Sequence, residues 1–301
     1  MEGSPTMKPE VSIVVCYRQG TLPMMKVWLS SLFGHTTEGP LRVVILTADN
    51  GSFQEASVDF SGFSSEVEVV RVSPAEKPPA RIHGAMLDAF LPSGVDSEFV
   101  LTMDSDCFPI ADGWLAGLLG MLRSGARVVG ILHPWAPPPT DMDKKLLAWR
   151  VRSQHCWETT HVACQMLRKA DLVELGVSYT DGDDTGLLVP LAAKRKGWAI
   201  SGYKPTRCAK PEGEVDPEFN RYVSLIFGDM VYHHGGYTRV TTGGDKPIMA
   251  DHFGWATEKV LSGQAEIFLK DDWSYRFKFD REEEVAQDKL DRLFGVGAFK
   301  K

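Results

Sequence analysis

Asp104-Ser105-Asp106 follows directly on Phe99 to Met103 (FVLTM), a short apolar run that reads as a buried strand. Ligands on open α/β sheets dock just past the carboxyl ends of the strands, so this carboxylate pair has more functional weight than the same residues elsewhere. On an extended segment alternate side chains point the same way. The two carboxylates can therefore share a hard divalent cation, or divide a cation and a ribose between them. Oxygen ligands favour magnesium or manganese. The same tripeptide also suits a solvated turn or a helix cap, where Asp is common.

Other chemistry-bearing residues come later in the chain. Asp183-Asp184 opens a run from Thr185 to Lys196 that is expected to be helical. A carboxylate at such a point can take the proton from an attacking hydroxyl, a contribution of about 10²- to 10⁴-fold, and it can equally cap the helix. Tyr232-His233-His234-Gly235-Gly236 sets imidazoles beside backbone that can approach a diphosphate closely. Neighbours on a strand face opposite ways, so only one of His233 and His234 should reach a shared metal. A hydrogen-bonded histidine pair in a turn is the plainer reading. Arg239 offers a guanidinium matched to phosphate. Arg81 and His83 stand at the head of an expected helix, whose amino terminus attracts anions, though such residues also occur simply as surface.

The elements that would position these residues alternate. Val11 to Cys16 (VSIVVC), Leu41 to Thr47 (LRVVILT), Val67 to Val72 and Phe99 to Met103 read as strands, and Arg127 to Leu132 as a fifth. Helices are expected from Leu22 to Leu32, Arg81 to Leu91, Trp114 to Leu122 and around Ala170 to Leu175, with a charged helix from Arg281 to Leu293. Ala48-Asp49-Asn50-Gly51 after the second strand is a turn. Strands alternating with helices predict an α/β fold with a doubly wound, mostly parallel, Rossmann-like sheet.

The 301 residues, 43% hydrophobic and 24% charged, suffice for one large domain or two small ones. A net charge of -7 argues against a uniformly positive surface that grips polyanions everywhere. Five widely spaced cysteines, an odd number, suit reduced thiols and a cytoplasmic setting. Met1 to Glu10 lacks the apolar core of a signal peptide, and no run approaches the length that spans a bilayer, so no membrane partner is expected.

In order along the chain, VSIVVC, TADNGS and FVLTMDSD resemble the nucleotide-binding half of GT-A glycosyltransferases, particularly the family 2 type. Asp104-Ser105-Asp106 matches their Asp-x-Asp motif, and the similarity spans about the first two thirds of the chain. The resemblance implies a GT-A fold with a carboxyl-terminal extension on the acceptor side. Residues 1–133 would be the nucleotide-sugar half and 134–301 the acceptor half with a helical tail, in one continuous unit. It further implies Asp49 at the nucleobase, Arg81 and His83 near the nucleotide, Asp104 near the ribose, and Arg239 on the diphosphate. Mn²⁺ or Mg²⁺ would be held by Asp104 and Asp106 with His233 or His234 as a further ligand. Asp183-Asp184 is similar to the family's acidic pair, with Asp in place of the usual Glu, and Asp184 or else Asp183 would be the base of an inverting transfer.

The expected donor is a nucleotide diphosphate sugar, a UDP-sugar first, and the acceptor is a saccharide, a small molecule or modified DNA. Lys194, Arg195, Lys196, Lys204, Arg207 and Lys210 concentrate positive charge that would seat a phosphate backbone, making hydroxymethylated pyrimidines in DNA one acceptor. The same residues make an ordinary solvated helix end. Trp135, Trp149 and Trp157 offer faces for sugar or base, or serve the core. A nucleotidyltransferase also uses a strand-end carboxylate pair with magnesium, but Cys16-Tyr17-Arg18-Gln19-Gly20 lacks its glycine-rich loop. A non-catalytic nucleotide-sugar-binding protein is the third reading.

Overall fold

A computed structural model describes residues 9–17, 22–48, 67–73, 82–132, 159–180, 185–208, 225–235 and 247–269. Its first half alternates β1 (Val11–Cys16), α1 (Leu22–His35), β2 (Leu41–Ala48), β3 (Val67–Val72), α2 (Ile82–Gly94) and β4 (Phe99–Met103). Then come β5 (Cys107–Pro109), α3 (Trp114–Arg123), β6 (Val128–Leu132), β7 (Thr160–Arg168), α4 (Lys169–Leu175) and α5 (Leu188–Arg195). β8 (Ile200–Tyr203), β9 (Pro205–Cys208), β10 (Leu225–Phe227), β11 (Val231–His233), α6 (Pro247–Leu261) and a 3-10 turn (Ala265–Leu269) complete the described elements.

The main sheet has seven strands in the order β3-β2-β1-β4-β7-β6-β8. β1 pairs in parallel with β2 on one side and with β4 on the other, Val11 lying opposite both Leu41 and Phe99. β7 is antiparallel to both β4 and β6, while β6 and β8 pair in parallel, so the mostly parallel expectation holds with β7 alone among the seven strands running the other way. A second sheet has four strands in the order β5-β11-β10-β9.

Side chains alternate across β1, and each face meets its own helices. Ile13 and Val15 pack with Trp28 and Leu32 of α1 and with Trp114 and Leu118 of α3. Val14, with Val44 and Leu46 of β2, packs with Leu87 and Phe90 of α2. Parallel strands covered on both faces must be apolar throughout, which is why VSIVVC and FVLTM are continuous runs and not alternating ones.

Some boundaries differ from expectation. α1 runs through Gly34 to His35, and Pro92 lies within the last turn of α2 instead of ending it. The run expected to be helical from Thr185 begins only at Leu188. Gly186 at φ 68° directs its N–H to the Tyr179 carbonyl at 3.0 Å, which makes residues 185–187 a turn. The expected helix from Arg281 to Leu293 lies outside the described residues.

Candidate active site

At Met103 the chain leaves the main sheet in a tight turn. The Cys107 N–H donates to the Asp104 carbonyl at 3.0 Å, so Asp104-Ser105-Asp106 is folded back and not extended as the alternation argument assumed. Asp and Ser favour such turns because their short polar side chains bond the nearby backbone.

Both sheets hold this turn. The Asp104 N–H donates to the Ala163 carbonyl of β7 at 3.1 Å, and the His234 N–H donates to the Asp106 carbonyl at 2.9 Å. β5 starts at Cys107, opposite His233 of β11. The acidic turn is thus one covalent joint between the two sheets, Lys204 between β8 and β9 being another.

The joint gathers titratable side chains from four elements. Asp104, His161 of β7 and His233 each offer a ligand atom, all within 4.8 Å of one another. His83, on the first turn of α2, brings its Nε2 to 3.6 Å from Asp104 Oδ1. His233 Nε2 lies 3.8 Å from Asp106 Oδ1. Both separations are within ion-pair range but too long for a hydrogen bond. Asp106 is 8% exposed and His233 5%.

His234 is turned the other way. Fully buried, it meets the Tyr232 hydroxyl through Nδ1 at 3.0 Å. Adjacent residues of a strand face opposite sides, and here the side facing Asp104 belongs to His233.

Asp104 Oδ1 is buried and has no hydrogen-bond partner. A buried carboxylate oxygen without a donor is costly, and a cation beside it removes the cost. One carboxylate and imidazoles within a few ångströms of one another form a mixed oxygen and nitrogen set suited to a borderline divalent ion such as Mn²⁺. The residues present therefore fit a divalent cation.

Two thiols line the neighbourhood. Burial pushes Cys164 from 9.0 up to about 12, with the charge of Asp104 adding to the effect. Burial also pushes Cys107 well above the ordinary range, helped by Cys164, Asp106 and Asp104. Both are protonated at neutral pH. Among the described residues Cys16, Cys107 and Cys164 are not in disulfides.

His161 was missed in the sequence. It sits inside a run that reads only as strand, and nothing local marks it. Pairing of β7 with β4, Met103 opposite Cys164, is what carries it to the carboxyl end of β4. Of the other expected site residues, Asp49, Arg81, Asp183, Asp184 and Arg239 lie outside the described residues, as do Trp135, Trp149, Trp157 and Lys210.

The segment leading to Asp183 is nonetheless anchored. Asp88 of α2 accepts from the Ser178 hydroxyl at 2.6 Å, the Tyr179 N–H at 2.6 Å, the Thr180 N–H at 3.0 Å and the Thr180 hydroxyl at 2.6 Å. A Cβ on Gly84 would fall 2.6 Å from the Tyr179 carbonyl oxygen, so only glycine lets α2 approach this closely.

The positive patch after α5 is partly neutralised. Lys196 pairs with Glu174 at 3.2 Å, and Arg207 pairs with Asp229 at 2.9 Å. Lys194 and Arg195 occupy the last turn of α5, where cations complement the helix dipole.

A mostly parallel sheet covered by helices on both faces, with an acidic turn at the end of β4, makes this an α/β protein of Rossmann-like, doubly wound architecture. No protein-family model matches the sequence, and no curated protein is significantly similar to it. Among solved structures, the chain is similar to glucosyl-3-phosphoglycerate synthase from Mycobacterium tuberculosis in complex with Mn²⁺, UDP-glucose and phosphoglyceric acid. That likeness has 14% identity and a TM-score of 0.47, covering 86% of this chain and 79% of that one. It is also similar to a mannosyltransferase from Pyrobaculum calidifontis in complex with GDP-Man and Mn²⁺, at 14% identity and a TM-score of 0.43, covering 97% of this chain and 77% of that one. Both likenesses are distant, and the chemistry of this chain is decided by its own side chains.

Proposed function

We propose that this chain is a divalent-cation-dependent glycosyltransferase that moves a sugar from a nucleotide diphosphate donor, a UDP-sugar first, to an acceptor hydroxyl with inversion. The observation that carries the reading is Asp104. Its carboxylate, with one buried oxygen that has no hydrogen-bond partner, stands past the carboxyl end of β4 among His83, His161 and His233. That is where an open α/β sheet receives a nucleotide.

Asp104 and His233 would hold Mn²⁺ or Mg²⁺, with Asp106 behind His233 adding negative charge. Bound there, the ion neutralises charge on the departing diphosphate. His83, at the head of α2, would face the nucleotide together with Arg81, and Asp49 would take the base. Asp184, or Asp183, would draw the proton from the attacking hydroxyl, and the Asp88 anchor fixes where that segment starts. Residues 1–133 would supply the donor half and 134–301 the acceptor half, although the site draws His161 and His233 from the latter. Arg239 would meet the diphosphate. The pairing of Lys196 and Arg207 with carboxylates favours a small-molecule or saccharide acceptor over DNA.

The test is a thermal-shift series with nucleotide sugars, with and without Mn²⁺, on the wild type, Asp104→Asn and Asp106→Ala. A ligand that binds only the folded state raises Tm, by about 2.7 kcal/mol of stability at a hundredfold excess over Kd. A Mn²⁺-dependent shift for one nucleotide that is lost in Asp104→Asn is expected, together with metal-dependent turnover of that sugar. A shift of equal size without metal, or one kept in Asp104→Asn, would overturn the reading.

A further inference from the structure

His161 stands as close to Asp104 and His233 as a third metal ligand would, yet its hydrogen bonding points to another role. In the antiparallel pairing of β4 with β7, Asp104 lies opposite Ala163, and the Asp104 N–H already donates to the Ala163 carbonyl. The reciprocal bond would run from the Ala163 N–H to the Asp104 carbonyl. That carbonyl instead accepts from Cys107, because the chain turns there. On the other flank of β7, the register with β6 shifts between Gly130 and Leu132. The Ala163 N–H, on a fully buried residue, goes to His161 Nδ1 at 3.1 Å.

This bond fixes the imidazole chemically. A ring nitrogen that accepts from a backbone N–H must present its lone pair, so the ring is neutral and its proton is on Nε2. An imidazole in that state has no second lone pair for a cation. To become a ligand it would have to move the proton to Nδ1, directly against the Ala163 N–H, and strand a buried backbone donor. Metal-binding histidines have the opposite arrangement, with the far nitrogen donating to an acceptor.

We propose that His161 is a fixed hydrogen-bond donor to the anionic group carried at this centre, and not a third ligand to the cation. The cation is held by Asp104 and His233, and His161 gives its Nε2–H to a phosphate oxygen of the diphosphate. The assignment rests on the cation-and-diphosphate reading above. It follows from the turn itself: the fold that presents Asp104 also orphans the N–H that orients His161.

Two substitutions separate the two faces of the ring. His161→Asn sets an amide oxygen near the place of Nδ1, keeping the cap on Ala163 while removing the far donor. His161→Gln sets an amide nitrogen near the place of Nε2, keeping the donor and giving up the cap. On the full chain, Mn²⁺ binding is followed by electron paramagnetic resonance of the free ion, and UDP binding in the presence of Mn²⁺ by calorimetry. His161→Asn should leave Mn²⁺ affinity within about twofold while weakening UDP about tenfold or more, the size of a charge-assisted hydrogen bond. His161→Gln should regain most of the UDP affinity. His233→Ala should weaken Mn²⁺ itself by about tenfold or more, as loss of a ligand requires.

Long-range ¹⁵N–¹H correlation spectra read the same point without substitution, and should show His161 protonated at Nε2 both alone and with Mg²⁺ and UDP. Loss of Mn²⁺ affinity in folded His161→Asn equal to that in His233→Ala, or a ring protonated at Nδ1, would overturn the assignment while leaving the cation site standing. A wild type that binds neither Mn²⁺ nor UDP would bring down the cation-and-diphosphate reading and this assignment with it.

Discussion

Asp88 shows how one exposed-looking carboxylate can govern a segment. It accepts from two backbone N–H groups and two hydroxyls of Ser178, Tyr179 and Thr180. Asp88→Ala removes all of these acceptors at once and leaves backbone donors to find water. It should lower stability by about 2–3 kcal/mol in a urea melt, whereas a solvated surface aspartate would change it by less than about 0.5 kcal/mol. At this scale the sequence was legible where a residue's neighbours betray its surroundings. Asp104 follows a run of five buried residues, and His233 precedes a pair of glycines. Asp88 and His161 have no such neighbours: what matters about them is a partner about ninety residues away for the first and a strand pairing for the second. The sequence leaves Asp104-Ser105-Asp106 open between extended chain and turn, because a strand does not announce where it stops, and the structure has the turn.

Among the elements, β6 and β8 meet through glycine. A Cβ on Gly202 would fall 2.0 Å from the Gly130 carbonyl oxygen, and one on Gly130 would fall 2.0 Å from the Cys164 carbonyl oxygen. Both obstacles are backbone, which cannot rotate aside as a side chain can. Gly202→Ala should therefore cost about 1–3 kcal/mol by overpacking. Gly120→Ala, in α3 with open space around it, should stabilise by up to about 1 kcal/mol through helix propensity. Paired thermal melts of the two variants check both signs. The bounds of β4 are legible to the residue in its apolar run and those of β3 in its alternation, and the buried helices to within a few residues. β5, β10 and β11 were not foreseen, since a strand of three residues has no period to detect. The antiparallel entry of β7 was equally hidden, because residues 133–158 separate it from β6 and a strand's direction leaves no mark in its composition.

For the molecule as a whole, burial of acidic protons sets a response to base. Burial raises Cys164 from 9.0 to about 12. Burial likewise raises Tyr203 from 10.0 to about 12, and its hydroxyl donates to the Trp114 carbonyl at 2.7 Å. Both groups are neutral when protonated and both are raised on folding. Their contribution is complete below the unfolded values and is lost as pH climbs from 9.0 through about 12. Denaturant melts should show stability falling over that interval, and Tyr203→Phe should flatten the fall. No helix among the described residues is long and apolar enough to cross a membrane.

The joint at Asp104 has one more consequence, for synthesis. Its partners arrive in the order His83, His161 and His233, and β7 must insert between β4 and β6 before the second imidazole is in reach. A ribosome-bound chain that ends before residue 233 therefore has the acidic turn but not its last partner, and the cluster is complete only once β11 has emerged.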